Sequence, residues 1–310
     1  MLLFVLSQED IDLAATEVVN LLSIEDAEIK EHFLLTNQEY NKRALNLAYT
    51  RKITQLLFRC KKEDIEATIR SFDFNPHYNT DFSLRVPQLT RFEVPYGGIM
   101  YDLLENPKTN LKDATTKFEL YFSETEAFMT LLITDVHHDF GPRKSHNRPE
   151  HHPTALQPKL ARAMVNMLGT EEEIIDPMCG AGGILLEAGL MGHKIKGYDI
   201  DWKMVNRSRI NLKHYGLKDF EIIKQDVTTI KDMPFFAMDF PYGKNTHNVD
   251  LDNLTSAFFT DLNFKRAAVG FPSFFDYKTM FKKHGITIEK EFTIYLHQLF
   301  NRKIVLIKKE

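Results

Sequence analysis

The residues with the most chemistry in them form two short clusters. Met238 to Gly243 reads Met-Asp-Phe-Pro-Tyr-Gly, placing a carboxylate, a proline and an aromatic ring in consecutive order at the end of an apolar run. An exocyclic amine on a flat base is a weak nucleophile, because its lone pair is delocalised into the ring. Two acceptors that bond both N–H groups pull that nitrogen toward a tetrahedral shape and aim the lone pair at an electrophile. Asp239 supplies one acceptor and the main-chain carbonyl of Phe240 the other, while Pro241 stiffens the turn and Tyr242 can stack on the base. The Asp239 carboxylate also stabilises the positive charge developing on nitrogen and helps remove its proton. A plain strand-end turn with a packed Tyr would use the same tetrapeptide, so the second cluster has to decide.

Ile174 to Gly183 reads Ile-Ile-Asp-Pro-Met-Cys-Gly-Ala-Gly-Gly. A buried strand ending on Asp176 is followed by Gly180, Gly182 and Gly183, which let the backbone turn tightly and approach a ligand closely. Cys179 sits in the same turn. The spacing is not the dinucleotide-binding G-x-G-x-x-G, since Leu185 stands where the third glycine belongs. A carboxylate at Asp176 repels a pyrophosphate and attracts a cationic amino-acid group, which favours S-adenosylmethionine. Asp199 ends the next predicted strand, where a carboxylate can accept both ribose hydroxyls. Asp226 follows the third and can accept from the adenine amine. One such acid is more often an ordinary exposed loop residue; three in consecutive strand–helix units are harder to dismiss. A metal site is not expected.

The predicted elements that carry these clusters alternate from Pro158 onward. Strands are expected at 173–175, 194–198, 220–224, 235–238 and 267–271, with helices at 158–168, 184–191, 204–215 and 277–284. A terminal hairpin follows at 292–298 and 303–307. This is an α/β pattern with a mostly parallel sheet. Residues 1–135 read as a separate α+β region. Strands are expected at 2–6, 32–35, 82–86, 116–122 and 127–135. An Asp10-capped helix follows the first strand, and a helix interrupted by Gly97-Gly98 lies within 92–104. Asn41 to Lys62 holds seven Lys or Arg residues and no acid, and its apolar spacing suggests a strand followed by a helix.

Between the two regions, residues 136–158 contain His137, His138, His146, His151 and His152, the basic side chains Arg143, Lys144 and Arg148, and four prolines. The expected role is a linker lying along a phosphate backbone. The histidine spacing does not match a helical metal-ligand pair.

Composition fits a soluble globular protein of two domains: 310 residues, 43% hydrophobic and 26% charged. A formal net charge of −4 means that a nucleic-acid partner must meet a local basic face. Cys60 and Cys179 are the only cysteines, which excludes a disulfide framework and suits a reducing compartment. The apolar start, Met1 to Leu6, reaches Gln8-Glu9-Asp10 too soon for a signal peptide, and no run approaches membrane-spanning length. A cytoplasmic monomer is expected.

Asp176-Pro-Met-Cys-Gly-Ala-Gly-Gly together with Asp239-Phe-Pro-Tyr resembles the Rossmann-type amino-methyltransferases that act on guanine N2 in RNA. The segment from Arg148 to Asn166, Arg-Pro-Glu-His-His-Pro-Thr-Ala-Leu-Gln-Pro-Lys-Leu-Ala-Arg-Ala-Met-Val-Asn, is similar to the archaeal-type tRNA guanosine-10 N2-methyltransferases. The likeness covers about 139–243 and the terminal His297-Gln-Leu-Phe-Asn-Arg-Lys; before residue 90 it is weak. It implies a Rossmann-like seven-stranded methyltransferase domain at 159–310, preceded by a ferredoxin-like and THUMP region that grips tRNA. S-adenosylmethionine would sit at Asp176, Cys179, Gly180, Gly182, Asp199 and Asp226, and amine activation at Asp239 to Tyr242. Arg143, Lys144, Arg148 and Arg302 are assigned to RNA contact. Some relatives also use a small zinc-binding activator protein. The family pattern is Asp-Pro-Pro-Tyr, so Phe240 is a departure, tolerable because its proposed part uses the backbone. Competing readings are adenine-N6 methylation of DNA or another RNA, a catalytically silent RNA-binding module and, weakest, a nicotinamide-dependent dehydrogenase.

Overall fold

Apolar runs with period two or none set the strands, and caps and glycines end the helices between them. The computed structural model describes residues 1–152, 155–240, 250–297 and 300–309. In chain order the first elements are β1 Leu2–Leu6, α1 Ile11–Leu22, β2 Glu28–Lys30, β3 Phe33–Thr36, β4 Thr50–Lys61, α2 Ile65–Ser71, β5 Phe82–Arg85, α3 Glu93–Leu103, β6 Thr116–Phe122 and β7 Glu126–Asp135. The rest are α4 Pro158–Met167, β8 Ile174–Asp176, α5 Gly183–Leu190, β9 Ile195–Asp199, α6 Trp202–His214, β10 Phe220–Lys224, β11 Phe235–Asp239, α7 Leu251–Phe259, β12 Arg266–Pro272, α8 Tyr277–Lys283, β13 Thr287–His297 and β14 Phe300–Lys308.

The chain forms two units. The first comprises Met1–Ile11, Ile24–Lys42 and Thr50–His137. Its seven-stranded sheet runs β2-β3-β1-β4-β7-β6-β5. All neighbours are antiparallel except β5 and β6. Ile65 and Ile69 of α2 and Met100 of α3 pack on Leu84, Phe118 and Met129 of this sheet. The helix expected in the second half of Asn41 to Lys62 is instead part of β4. The register against β7 shifts between Ile53 and Thr54 and again between Leu56 and Phe58. These bulges break strict alternation, so the apolar spacing imitates a helix. Helix α3 runs unbroken through Gly97 and Gly98, whose Cα positions face open space.

The second unit comprises Asp12–Ser23, Arg43–Tyr49 and His138–Glu310. Most of α1 therefore belongs with the C-terminal half of the chain, a grouping the sequence boundary at 135 did not anticipate. Glu17 of α1 is fully buried. Its carboxylate accepts from Ala48 N at 2.7 Å, Tyr49 N at 2.8 Å and Asn166 Nδ2 of α4 at 2.6 Å. These bonds compensate a buried charge that would otherwise be costly.

The second sheet runs β10-β9-β8-β11-β12-β14-β13. The first five strands are parallel, and the terminal hairpin adds β14 and β13 antiparallel. An aromatic core fills the space around β11 and β12, with the Phe240 ring stacked on Phe271 at 5.0 Å. From His138 the expected linker belongs to this unit. Glu187 of α5, fully buried, accepts from Arg143 Nε at 2.6 Å and Arg162 Nε of α4 at 3.0 Å. Tyr215 Oη donates to Pro142 O at 2.7 Å, and Asn211 Nδ2 to Glu150 O at 2.9 Å. Among the described residues no helix is long and apolar enough to cross a membrane.

Candidate active site

Strand order reverses beside β8: β9 and β10 lie on one side, β11 and β12 on the other. The crevice beyond the carboxyl ends of such strands is where open α/β sheets hold ligands. The sequence delivers acids there, because β8, β9 and β11 end on Asp176, Asp199 and Asp239, and Asp226 follows β10. Asp176, Cys179, Gly180, Asp199, Asp226 and Asp239 all line one cavity of about 740 Å³. That volume lies in the range of small-molecule sites, about 300–1,000 Å³.

The glycine turn works as its composition predicts at one position and differently at another. Gly180 has φ +51°, lines the cavity, and would present a Cβ to open space, so its backbone is bare toward a ligand. Gly182 has φ +80° and is not among the lining residues. A Cβ there would lie 2.5 Å from Ser208 Oγ of α6, so this glycine permits close approach of two helices. A packing requirement therefore accounts for this glycine without reference to a ligand. Cys179 is buried and donates its amide to Tyr198 O at 2.9 Å.

Each acid is held differently. Asp176 is only 2% exposed and accepts from Met178 N at 3.2 Å. Burial pushes its pKa well above the usual carboxylate range, and the charges of Asp199 and Asp239 push the same way. Asp199 accepts Gly180 N on Oδ2 at 3.0 Å and Asp201 N on Oδ1 at 2.9 Å, bracing the turn from the neighbouring strand. Burial raises its pKa too. Asp226 caps the turn at Val227–Thr229, accepting Thr228 N at 3.0 Å, and its side chain is exposed.

Asp239 has a side chain 15% exposed, and its Oδ2 lies 3.2 Å from Arg302 Nη2 of β14. Oδ1 has no hydrogen-bond partner among the described residues. Burial pushes its pKa up to about 7, with the Arg302 charge opposing. Phe240 donates its amide to Gly270 O at 3.0 Å while its ring is fully buried among Phe258, Phe259 and Phe271. The ring that departs from the family tetrapeptide therefore fills core and leaves the cavity to the main chain. Pro241 and Tyr242 lie outside the described residues.

Of the side chains assigned to RNA contact, Lys144 is exposed, but the three arginines turn inward. Arg143 pairs with buried Glu187. Arg148 is 4% exposed, and its Nε donates to Arg143 O at 2.8 Å. Arg302 is 5% exposed at Asp239. The expectation for these three is corrected, because a group facing a buried carboxylate or carbonyl is not offered to a phosphate. Cationic composition alone did not separate the two cases.

Two positions at the site escaped the sequence reading, and a third was given another role. Gly270, opposite Asp239 in the β11–β12 register, leaves the space its carboxylate occupies, since a Cβ there would lie 2.1 Å from Oδ1. A glycine inside an apolar strand is the signal that could have found it. Arg302 was read as an RNA contact, and beside Lys303 nothing in the sequence set it apart from a surface cation. His152, read only as part of a polar linker, lines the cavity.

A bare glycine turn, strand-end acids on three successive units and the Asp239 carboxylate on the same cavity fit S-adenosylmethionine beside an amine. Known proteins agree. Residues 145–270 match the family described as "RMKL-like, methyltransferase domain". The chain is 29% identical to a tRNA (guanine(10)-N2)-dimethyltransferase of Methanothermobacter thermautotrophicus, over 85% of this chain and 83% of that protein. It is 34% identical to the protein of that name from Pyrococcus abyssi, over 69% and 68%. The fold is shared with TrmN from Thermus thermophilus, with a TM-score of 0.54 at 16% identity over 100% of this chain and 99% of that one. With this sequence likeness and this cavity, the chain belongs to the tRNA (guanine(10)-N2)-dimethyltransferase family.

Proposed function

We propose that this protein transfers methyl groups from S-adenosylmethionine to the exocyclic N2 of a guanine in tRNA, at position 10, in two successive transfers. Bound in the cavity, S-adenosylmethionine supplies an electrophilic methyl group. Asp199 and Asp226 are suited to its ribose and adenine, and the backbone at Gly180 to close contact with it. Asp176, beneath the turn, gives the cationic amino-acid portion an electrostatic partner. Asp239 and the carbonyl of Phe240 accept the two N–H groups of the guanine amine, orient its lone pair, and offset the charge that forms on nitrogen. The observation that carries this reading is Asp239 on the lining of the cavity that holds the glycine turn.

The substrate and position follow the names of the relatives. We read the first unit as the ferredoxin-like and THUMP region, with Arg51, Lys61 and Lys62 exposed on or beside β4 and available to phosphates. Lys144 is the remaining candidate in the second unit.

The test is nucleoside mapping after incubating unmodified tRNA with the purified chain and labelled S-adenosylmethionine. Label in N2,N2-dimethylguanosine at position 10 is the expected result. Label in adenine, or transfer to duplex DNA in place of tRNA, overturns it. The same assay decides the expectation of an activator: turnover by the purified chain alone removes the zinc-binding helper.

A further inference from the structure

We propose that Arg302 is a positioning residue for the methyl transfer: from the second strand of the terminal hairpin it reaches across β12, engages Oδ2 of Asp239, and holds that carboxylate charged at the cavity lining. The inference rests on the reading of Asp239 given above and adds a residue to that site.

The register makes the contact possible. Asp239 of β11 stands opposite Gly270 of β12, Gly270 opposite Ile304 of β14, and Pro272 opposite Arg302. Side chains two apart on a strand share a face, so Arg302 and Asp239 lie on the same face with β12 between them. Gly270 has no side chain to block the interval. The guanidinium ends 3.2 Å from Oδ2 with both side chains mostly buried, at 6% and 15% exposure.

A carboxylate taken out of water prefers to be neutral, and a neutral acid cannot offset the positive charge that forms on nitrogen or take up its proton. An opposite charge within a few ångströms favours the ionised form. The charged groups whose fields act with Asp239 among the described residues are Arg302 from β14, which favours ionisation, and Asp176 at the end of β8, which carries like charge. β12 presents only Gly270 there. Burial dominates, holding the group at about 7 with Arg302 in place. Without Arg302, burial and Asp176 act unopposed, and Asp239 stays protonated to higher pH.

The test is the pH profile of single-turnover methylation of tRNA by wild type, Arg302→Met and Arg302→Lys, with thermal melting and cofactor titration of each. For Arg302→Met the acid limb should rise by about one pH unit or more, with about a tenfold loss of rate below it and recovery at high pH. Arg302→Lys keeps the charge, so its limb should stay near wild type even though the planar guanidinium is lost. Apparent KM for tRNA and its salt dependence should not change in either. An unmoved limb in Arg302→Met overturns the proposal, as does a loss confined to KM for tRNA, which would return Arg302 to an RNA contact. If Arg302→Met does not fold, a displaced limb in folded Arg302→Lys overturns it, and an unmoved one supports it. Asp239→Asn is run alongside: full activity in that variant refutes the reading of Asp239 itself, whatever Arg302 does.

Discussion

Replacing Gly270 by Ala adds one carbon at the point where the reacting carboxylate has least room. The new Cβ would lie 2.1 Å from Asp239 Oδ1 and 3.1 Å from Cγ, whereas ordinary contact begins at 3.4 Å. Oδ2 is tied to Arg302, and β12 is hydrogen-bonded on both sides, so neither the carboxylate nor the strand can yield freely. The overlap at Oδ1 is about 1.3 Å, and relieving it displaces the acceptor by a distance of that order. A misplacement of about 1 Å costs about 100-fold in rate. Over-packing of this kind costs about 1–3 kcal/mol of stability, so the variant should still fold. Single-turnover methylation of tRNA should therefore fall about 100-fold, while calorimetric affinity for S-adenosylmethionine changes by less than about threefold, because the glycine turn is untouched. A folded Gly270→Ala protein with near wild-type rate would show that the placement of the Asp239 carboxylate is irrelevant to transfer.

Two further predictions concern groups around the site. Asp176→Asn should raise the melting temperature at pH 8 while weakening S-adenosylmethionine binding. The folded-state pKa of Asp176 is raised by burial above its unfolded value. The unfolded chain therefore gains more from ionisation, and this penalty is full above the folded pKa and vanishes as pH falls below the unfolded one. A lower melting temperature at pH 8, or a gain confined to acid pH, would contradict that sign. Glu187→Gln leaves Arg143 and Arg162 facing a neutral amide in a buried setting and should destabilise the second unit by about 3–5 kcal/mol. Chemical denaturation measures it, and a change below about 1 kcal/mol would mean the two arginines find other partners.

The second unit was nearly readable from sequence because βα repetition restricts it. β10 falls at the expected 220–224, and the other parallel strands shift by a residue or two. The acids at strand ends were legible for the same reason, since they recur in consecutive strand–helix units. What escaped depends on neighbours distant in sequence. Arg302 and Arg148 look like surface cations until the fold brings Asp239 and Arg143 to them. Gly182 sits in a ligand-type turn, yet its constraint comes from Ser208 on another helix. In the first unit, bulges hid β4, and β2 is only three residues long and polar, so periodicity had little to show. The assignment of α1 to the second unit depends on buried Glu17 meeting Ala48, Tyr49 and Asn166, which no local pattern announces.

The central claim is that the carboxylate of Asp239 receives the guanine amine beside bound S-adenosylmethionine. Asp239→Asn tests it most directly, because the substitution keeps the shape and removes the charge. Cofactor titration and single-turnover methylation of tRNA should be measured on the same preparation. The account predicts a loss of about 1,000-fold or more in rate, with cofactor affinity within about threefold of wild type. A retained rate, or a rate and a cofactor affinity that fall together, would contradict it.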